Sequence, residues 1–412
     1  MDSPQDHARS SRAPGCALTF PSTLSSASLN ETRTRPSTRL DGMRVLIAHD
    51  WIVAWAGSER CVEQLLEVFP QADLVVGVMA GSMRDFNHVT RRARETWLGR
   101  IPGARTHHRW FLPLEAGAFV TLDTRPYDLI ISSSHAFAKI VQKRKHGSLH
   151  VCYCHSPPRY LWDLSASYRR LGGLAERVAL TTTTGLLRKL DRWSAARVDH
   201  FICNSAYVAE RIRRLYGRGS DVVYPPVSPK EGKAAPAKRS DFLLSLGRLV
   251  GYKRVDLAIR AAETMGMDLL IAGDGPDRRR LERIAGPHTK FLGEVSEQDA
   301  ARLLSACRAF VFCGEEDFGI ALLEANAHGA PVVYLRRGGP AETMRPGVTG
   351  IPFDNPSPHA VAEAIQAACR TSWSEEQLRA NAARYSPQKF REGITAVLTK
   401  IIDQNERLRM RD

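Results

Sequence analysis

Two successive sets of alternating strand-like and helix-like segments constrain the fold of this 412-residue chain more than any other feature. In each set, short apolar runs alternate with helical patterns, which is typical of a parallel sheet with helices on both faces. Residues 229–240 are rich in Lys, Ala and Pro, lack an apolar period and are predicted to be a linker. The pattern predicts an α/β protein with two doubly wound Rossmann-like domains, residues 43–228 and 241–386, facing a central cleft.

The two ends of the chain differ from these domains. Residues 1–42 are dominated by Ser, Thr, Arg and Pro and contain no apolar segment like that of a secretory signal, so we predict a disordered extension. Residues 387–412 have apolar positions at helical spacing and are predicted to form a helix that packs back on the first domain. No stretch approaches the roughly 18 consecutive apolar residues of a membrane span, so the expected location is the cytoplasm.

The net charge of +14 is concentrated in the first half of the chain. Residues 43–230 hold 27 Lys and Arg against 16 Asp and Glu, whereas residues 231–412 hold 26 against 24. A basic first domain fits an anionic partner, such as the inner face of an anionic membrane or a lipid-linked pyrophosphate. The alternative is a basic surface that is merely solvated. No motif typical of nucleic-acid binding accompanies the charge, so a nucleic-acid partner is disfavoured.

The cysteine pattern predicts free thiols. Eight cysteines occur, without a CxxC pair and without a neighbouring His at ligand spacing. Packing in the core of a protein from a reducing compartment accounts for them. We therefore expect no disulfide and no structural metal.

The stretch from Gly314 to Val333 combines two carboxylates with a helix start. Glu316 lies in a predicted loop after a strand, and Glu324 lies on the helix that begins at Gly319. The free N–H groups at that helix start favour an anion, and the crevice beyond a strand end is where open α/β sheets bind ligands. The arrangement suits a ligand with hydroxyls on both sides of a phosphate, such as a nucleotide-sugar. The alternative is an ordinary surface helix with two solvated Glu residues.

Two further strand ends of the second domain carry candidate binding residues. Gly247 and Arg248 end one strand, and Lys253 opens the next helix, so two cations lie near one helix N-terminus, as a diphosphate requires. Gly273 ends another strand in a Gly-rich turn, which we expect to come close to a nucleotide base. For Gly273, a turn with favourable local chemistry is the simpler alternative.

In order and spacing, these motifs resemble those of the retaining glycosyltransferases of family 4, which have the GT-B fold and include bacterial lipopolysaccharide and exopolysaccharide mannosyltransferases. The resemblance covers the chain from Met43 onward. It implies that Glu316 contacts hydroxyls of the transferred sugar and that Glu324 holds the nucleotide ribose. It also implies that Arg248 and Lys253 bind the donor diphosphate. The backbone N–H groups expected to assist them belong to Phe318, Gly319, Ile320 and Ala321.

The resemblance extends to the first domain. Gly57 follows the first strand where such enzymes usually have two glycines, and it would let the backbone approach the donor phosphate; the preceding position is Ala56 here. His155 would face the sugar 6-hydroxyl or the reaction centre, although a His at a strand end is often only a structural hydrogen-bonder. His135, in a segment typical of the mannosyltransferase-like branch, is a further candidate contact to acceptor or sugar.

The implied activity is transfer of a sugar with retention at the anomeric carbon, without a metal and without a cofactor. GDP-mannose is the favoured donor, and the acceptor is a glycan or polyprenyl-diphosphate-linked glycan of cell-surface polysaccharide synthesis. Glu316, Arg248, Lys253 and His155 are the expected catalytic residues. Residues 315–317, Glu-Glu-Asp, are a poor match to a DxD metal motif. Two alternatives remain: a nucleotide-sugar 2-epimerase of the same fold, and a non-catalytic sugar-nucleotide-binding subunit.

Overall fold

The computed structural model describes residues 40, 42–163, 174–229 and 239–409. The predicted extension at residues 1–42 and the predicted linker at residues 229–240 therefore lie almost entirely outside the described residues. Among the described residues, no helix combines the length and the apolar character that crossing a membrane requires. The seven cysteines within the described ranges are all free thiols.

The first domain is built on a seven-stranded sheet in which all neighbouring strands are parallel, in the order β3-β2-β1-β4-β5-β6-β7. Its strands are β1 Val45–Ile52, β2 Asp73–Met79, β3 Arg94–Glu95, β4 Leu129–Ser134, β5 Leu149–Cys154, β6 His200–Cys203 and β7 Asp221–Val222. Its α-helices are α1 Gly57–Val68, α2 His88–Arg92, α3 Leu112–Val120, α4 Leu174–Ala195 and α5 Ala206–Tyr216. The strand order reverses between β1 and β4, which creates a crevice at their carboxyl ends.

The second domain repeats this order in a six-stranded parallel sheet, β10-β9-β8-β11-β12-β13. Its strands are β8 Leu243–Leu246, β9 Leu269–Ala272, β10 Thr289–Gly293, β11 Ala309–Phe312, β12 Val332–Leu335 and β13 Gly350–Phe353. Its α-helices are α6 Val255–Met265, α7 Arg278–Glu282, α8 Glu297–Ala306, α9 Ile320–Ala327, α10 Pro340–Thr343, α11 Pro358–Arg370 and α12 Glu375–Ala383. The reversal here lies between β8 and β11. The prediction of two doubly wound Rossmann-like domains is confirmed.

Strand β1 shows why the apolar runs are continuous rather than alternating. Val45 and Ile47 belong to the core cluster that contains α1, whereas Leu46 and Ala48 belong to the cluster that contains α3. Because successive side chains of a strand point to opposite faces, a sheet covered on both faces needs apolar residues at every position. This double coverage leaves only the ends of the strands open to ligands.

The last helix, α13 Pro387–Arg409, lies against the first domain. Phe390, Ile394 and Leu398 are buried in the same core cluster as β1 and α1. Arg391 donates a hydrogen bond to Gln64 of α1. The chain therefore passes from the second domain back to the first, and this helix ties the two together.

Candidate active site

A cleft of about 850 Å³ lies between the carboxyl ends of the two sheets. Its walls come from both domains, and twelve of the thirteen residues singled out from the sequence contribute to its lining. These are Gly57, His135, His155, Gly247, Arg248, Lys253, Glu316, Phe318, Gly319, Ile320, Ala321 and Glu324. The structure thus brings together residues that lie more than 250 positions apart in the chain.

Glu316 lies between two cations inside the cleft. Lys253 Nζ is 3.8 Å from Glu316 Oε1, and Arg159 Nη1 is 4.0 Å from Oε2. Burial raises the pKa of Glu316, while Lys253 and Arg159 oppose that shift. Arg159 also lies over the ring of Tyr252, 4.8 Å from its centroid. A carboxylate held near, but not in direct contact with, two cations is available to hydroxyl groups of a polar ligand.

The two acidic neighbours of Glu316 serve a different purpose. Tyr207 of the first domain donates a hydrogen bond to Glu315, and Arg211 Nη1 lies 2.7 Å from Asp317 Oδ1. Glu316 and Asp317 both line the cleft, but the side chains of Glu315 and Asp317 are engaged in contacts that join the domains. No group of three His, Cys, Asp or Glu side chains in the described ranges is arranged to hold a metal ion.

The start of α9 brings the two domains into close contact. Gly319, with φ +90°, is the residue before the helix, in a conformation that other residues rarely adopt. The side chain of the next residue, Ile320, reaches the first domain, where a Cβ on Gly57 would lie 2.3 Å from Ile320 Cδ1. A side chain at position 57 would therefore require Ile320 to move, and Ala56 before it has an extended backbone with φ −136°.

Glu324 is already paired with an arginine of the first domain. Arg60 Nη1 of α1 lies 3.1 Å from Glu324 Oε1, and Arg60 Nη2 lies 3.0 Å from Glu297 Oε1. The side chain of Glu324 is 7% exposed, whereas that of Glu297 is 65% exposed. Arg60 thus links the buried carboxylate of α9 to α1 across the cleft.

Two glycines, which have no side chain, allow neighbouring loops to come close to Lys253 and so fix its position. A Cβ on Gly247, which has φ +134°, would lie 2.9 Å from Lys253 Nζ. A Cβ on Gly314 would lie 2.7 Å from Lys253 Cα. The glycines allow the loops after β8 and β11 to pack against the short 3₁₀ helix Gly251–Lys253, so that the ammonium group lies beside both Gly247 and Glu316.

On the first-domain side, three histidine rings lie close together at the base of the cleft. The ring centroids of His49, His135 and His155 are 6.1 to 6.3 Å apart. Asp50 fixes the loop after β4, because its carboxylate accepts backbone N–H groups of His135, Ala136 and Ala138 at 2.5, 2.8 and 2.5 Å. Burial, together with the neighbouring His135 and His49, holds the pKa of His155 well below its usual value.

Two family models match the chain in succession. Residues 55–231 match the model described as Glycosyltransferase Family 4, and residues 229–388 match the model described as Glycosyl transferases group 1. Together they cover both domains. The chain belongs to the family 4 glycosyltransferases.

Individual relatives of this family 4 glycosyltransferase include mannosyltransferases. Human alpha-1,3/1,6-mannosyltransferase ALG2 is 25% identical over 297 residues, covering 61% of this chain and 67% of that protein. A GDP-mannose-dependent alpha-mannosyltransferase of Mycolicibacterium smegmatis is 32% identical over 187 residues, 44% of this chain and 49% of that protein. HepE of Anabaena, solved in complex with UDP and glucose, matches with a TM-score of 0.63 at 18% identity over 87% of this chain and 99% of its own, which supports the GT-B fold.

Gly273 is the one predicted site residue of this glycosyltransferase that lies outside the cleft lining. It has φ +125°, and a Cβ there would lie 2.2 Å from the carbonyl oxygen of Gly247. The absence of a side chain lets the turn after β9 pack against the backbone of the Gly247 loop. Gly273 therefore supports that loop and does not line the cleft.

Sequence reasoning missed four residues that shape the site, namely His49, Asp50, Arg60 and Arg159. His49 and Asp50 are two polar residues inside the apolar run of β1, and this interruption was the available signal. Arg60 and Arg159 each lie within four residues of a predicted site residue. Their partners are up to 264 positions away, so no local pattern indicates the pairing.

Proposed function

We propose that this glycosyltransferase transfers a sugar, with mannose from GDP-mannose favoured, to a glycan or lipid-linked acceptor in cell-surface polysaccharide synthesis. The observation that carries the proposal is the convergence of Glu316, Lys253 and the start of α9 on one cleft between two Rossmann-like domains. The mannosyltransferases among the relatives support the choice of donor sugar.

Charge stabilisation of the leaving group comes from the protein alone in this proposal, without a metal or a cofactor. As the glycosidic bond breaks, the nucleoside diphosphate gains negative charge. Arg248, Lys253 and the N–H groups at the start of α9 line the space where that charge develops. Preorganised cations and helix N-termini are the groups that stabilise such charge.

Retention at the anomeric carbon requires the acceptor to attack the sugar from the same face as the one from which the leaving group departs. In the proposed complex, the transferred sugar lies against Glu316, and the acceptor hydroxyl approaches near His155 on the opposite wall. An oxygen of the donor phosphate takes the proton of the acceptor hydroxyl. Glu324 holds the ribose, which requires the donor to displace Arg60 from that carboxylate.

The first-domain wall of the cleft, where we place the acceptor, includes apolar side chains. Leu112, Pro113 and Leu187 line it, which suits the lipid portion or the less polar face of a glycan acceptor. On the exposed face of α4, Leu186 is 69% exposed and Trp193 is 37% exposed. These apolar side chains, in a basic domain, support peripheral contact with an anionic membrane.

The membrane contact is tested by co-sedimentation with vesicles of phosphatidylcholine and phosphatidylglycerol at physiological salt. We expect binding that weakens about a hundredfold in the variant Leu186→Ala/Trp193→Ala, because each buried large apolar side chain contributes about 1.5 kcal/mol and about 1.4 kcal/mol is a tenfold change in affinity. Leu114→Ala, at an exposed leucine of α3 that is 44% exposed, is the control. Absence of binding to anionic vesicles would reject the membrane contact but not the transferase activity.

The donor is tested by a thermal-shift screen of GDP-, UDP- and ADP-sugars, which needs no acceptor. We expect GDP-mannose to raise the melting temperature most, because binding to the native state stabilises it by mass action. Incubation of the preferred donor alone separates the alternatives, since an epimerase would release the 2-epimer. Donor binding without turnover over a panel of glycan acceptors would favour a non-catalytic subunit. Product NMR reports the anomeric configuration, and activity in EDTA tests metal independence.

A further inference from the structure

Ser133, at the carboxyl end of β4, contacts two histidines at once. Its Oγ lies 2.8 Å from His155 Nε2 and 3.1 Å from His49 Nδ1. The same His49 Nδ1 lies 3.0 Å from the Ser133 carbonyl oxygen. Ser133 and His49 are fully buried, whereas His155 lines the cleft. The positions of the shared hydrogen atoms follow from which of these atoms can only accept.

His49 must carry a hydrogen on Nδ1. A carbonyl oxygen only accepts, so the 3.0 Å contact with the Ser133 carbonyl is a hydrogen bond only if Nδ1 donates. On the other side of the ring, His49 Nε2 lies 3.6 Å from Glu59 Oε1. Burial alone lowers the pKa of His49, but the Glu59 carboxylate outweighs it and the net shift is upward. The pKa of Glu59 is correspondingly lowered. Each of these two buried groups therefore favours the charged form of the other, behind Ser133.

The hydroxyl proton of Ser133 then has one acceptor. It cannot point to His49 Nδ1, since that nitrogen already carries a hydrogen. Among the residues that the structure describes, the remaining acceptor within hydrogen-bonding distance of Ser133 Oγ is His155 Nε2. A buried hydroxyl proton without a partner is unfavourable. The contact of 2.8 Å is therefore a hydrogen bond from Ser133 to His155.

We propose that Ser133, oriented by the His49–Glu59 pair, fixes His155 in the neutral form with its proton on Nδ1, which His155 presents to the cleft as a hydrogen-bond donor. Ser133, His49 and Glu59 act as positioning residues. Among the described residues, Ser133 forms a hydrogen bond with Nε2 of His155, and none forms one with Nδ1. Burial also holds the pKa of His155 well below its ordinary value, which favours the neutral ring.

This assignment restricts what His155 can do, in a step that rests on the proposed function. The nitrogen that could accept a proton is occupied by Ser133, so His155 does not remove the proton of an acceptor hydroxyl. Its Nδ1–H can instead donate to a sugar hydroxyl or to an oxygen that gains negative charge. The proton of the acceptor must then leave by another route, which agrees with a donor phosphate oxygen as its acceptor.

The tautomer itself is measured without any substrate. In the full-length protein labelled with ¹⁵N-histidine, we expect the signals absent from the His155→Asn variant to show a protonated Nδ1 and an unprotonated Nε2 between pH 6 and 8. In Ser133→Ala, the hydroxyl donor is lost and the signals should move toward a mixture of the two tautomers. A protonated Nε2 in the unmodified protein, or an unchanged spectrum in Ser133→Ala, would overturn the proposal.

The chain offers a matched control in the neighbouring residue. Ser132 Oγ lies 2.8 Å from His150 Nε2, and both residues are fully buried on the same strands as Ser133 and the segment before His155. Neither lines the cleft. Ser132→Ala removes a similar serine–histidine hydrogen bond from the same strand, and we expect the His155 signals to remain unchanged. Equal changes in both serine variants would show a general effect on the sheet and contradict a specific role of Ser133.

Activity gives a second readout. The side-chain amide of Asn lies near the place of histidine Nδ1, whereas that of Gln reaches the place of Nε2. If the donor at Nδ1 matters, kcat of His155→Asn should exceed that of His155→Gln by about tenfold, the effect of one hydrogen bond, with similar KM for the donor sugar. Higher activity in His155→Gln would overturn the proposal. Absence of transferase activity in the unmodified protein, with the expected tautomer present, would instead reject the proposed function.

Discussion

The two domains have the same strand order but hold their cleft residues in different ways. In the second domain, Arg248, Lys253 and Glu316 come from loops and helix starts just beyond the strands. In the first domain, polar groups lie within the strands, where His49 and Asp50 of β1 are fully buried. Charges near the loops remain open to solvent or ligand, whereas charges inside a sheet require protein partners. The second domain is therefore suited to binding a charged donor, and the first to fixing geometry.

The largest expected effect follows from the open charges of the second domain. Lys253→Ala should lower kcat for transfer by about ten- to a thousandfold, because the variant removes a cation that stabilises the leaving diphosphate. Arg248→Ala should act in the same range. Lys290→Ala, at an exposed lysine on the edge strand β10, is the matched control and should retain kcat. Wild-type rates in both cleft variants would remove the charge-binding role assigned to the second domain.

The next effect concerns stability and belongs to the first domain. Asp50→Asn should lower the free energy of unfolding by about 2 to 3 kcal/mol, because Asp50 accepts three backbone N–H groups and hydrogen bonds to a charged acceptor are the stronger kind. Asp128→Asn is the control, since that carboxylate is partly exposed, accepts the N–H of Arg44 just before β1, and is paired with Lys145. Urea unfolding measures both. Equal losses would show that burial inside the sheet does not distinguish Asp50.

The contrast between the domains also explains what could be predicted from the sequence. The strands were predictable because a sheet covered on both faces produces continuous apolar runs, as in β1 and β11. The second-domain lining of the cleft could be predicted because its residues belong to local motifs around Gly247 and Gly319. The fold, the family and this half of the site needed no long-range information.

The other half could not be predicted, because its partners are distant in sequence. His49 contacts Ser133, which lies 84 positions away, and Arg60 contacts Glu324, which lies 264 positions away. Helix α3 was missed for a different reason: residues 112–120 are apolar on nearly every side and lack the period of an amphipathic helix.

Glu324 lies where the two domains meet. Replacing it is expected to have an effect of intermediate size, on donor binding. Glu324→Ala should weaken donor binding by about tenfold or more, the effect of losing one hydrogen bond to a charged group. Calorimetric titration with the preferred nucleotide-sugar measures the Kd. Glu297→Ala removes the exposed partner of the same arginine and should leave the Kd within about twofold. Equal weakening in both variants would assign the effect to Arg60 and not to a ribose contact.

The smallest expected effect is a pH dependence that comes from a buried carboxyl of the first domain. Glu115 of α3 is fully buried, and neither carboxyl oxygen has a hydrogen-bond partner among the described residues. Burial, with a further contribution from Asp50, raises the pKa of this carboxyl well above its ordinary value of 4.5, against the opposing effect of Lys139. In the unfolded chain the Glu115 carboxyl loses its proton near pH 4.5, whereas in the folded chain it keeps the proton to higher pH. The native state therefore loses stability as the pH rises above 4.5.

Glu115→Gln removes this proton equilibrium. The free energy of unfolding of the variant, relative to the unmodified protein, should therefore rise by about 1 kcal/mol between pH 5 and pH 6. Urea unfolding at the two pH values measures the change. The control is Glu376→Gln, at an exposed glutamate of α12 in the second domain, for which the difference should be independent of pH. If the difference in free energy of unfolding is also independent of pH for Glu115→Gln, the Glu115 carboxyl ionises normally in the folded chain. The first domain would then stabilise this buried charge as readily as the second domain stabilises charges at its surface.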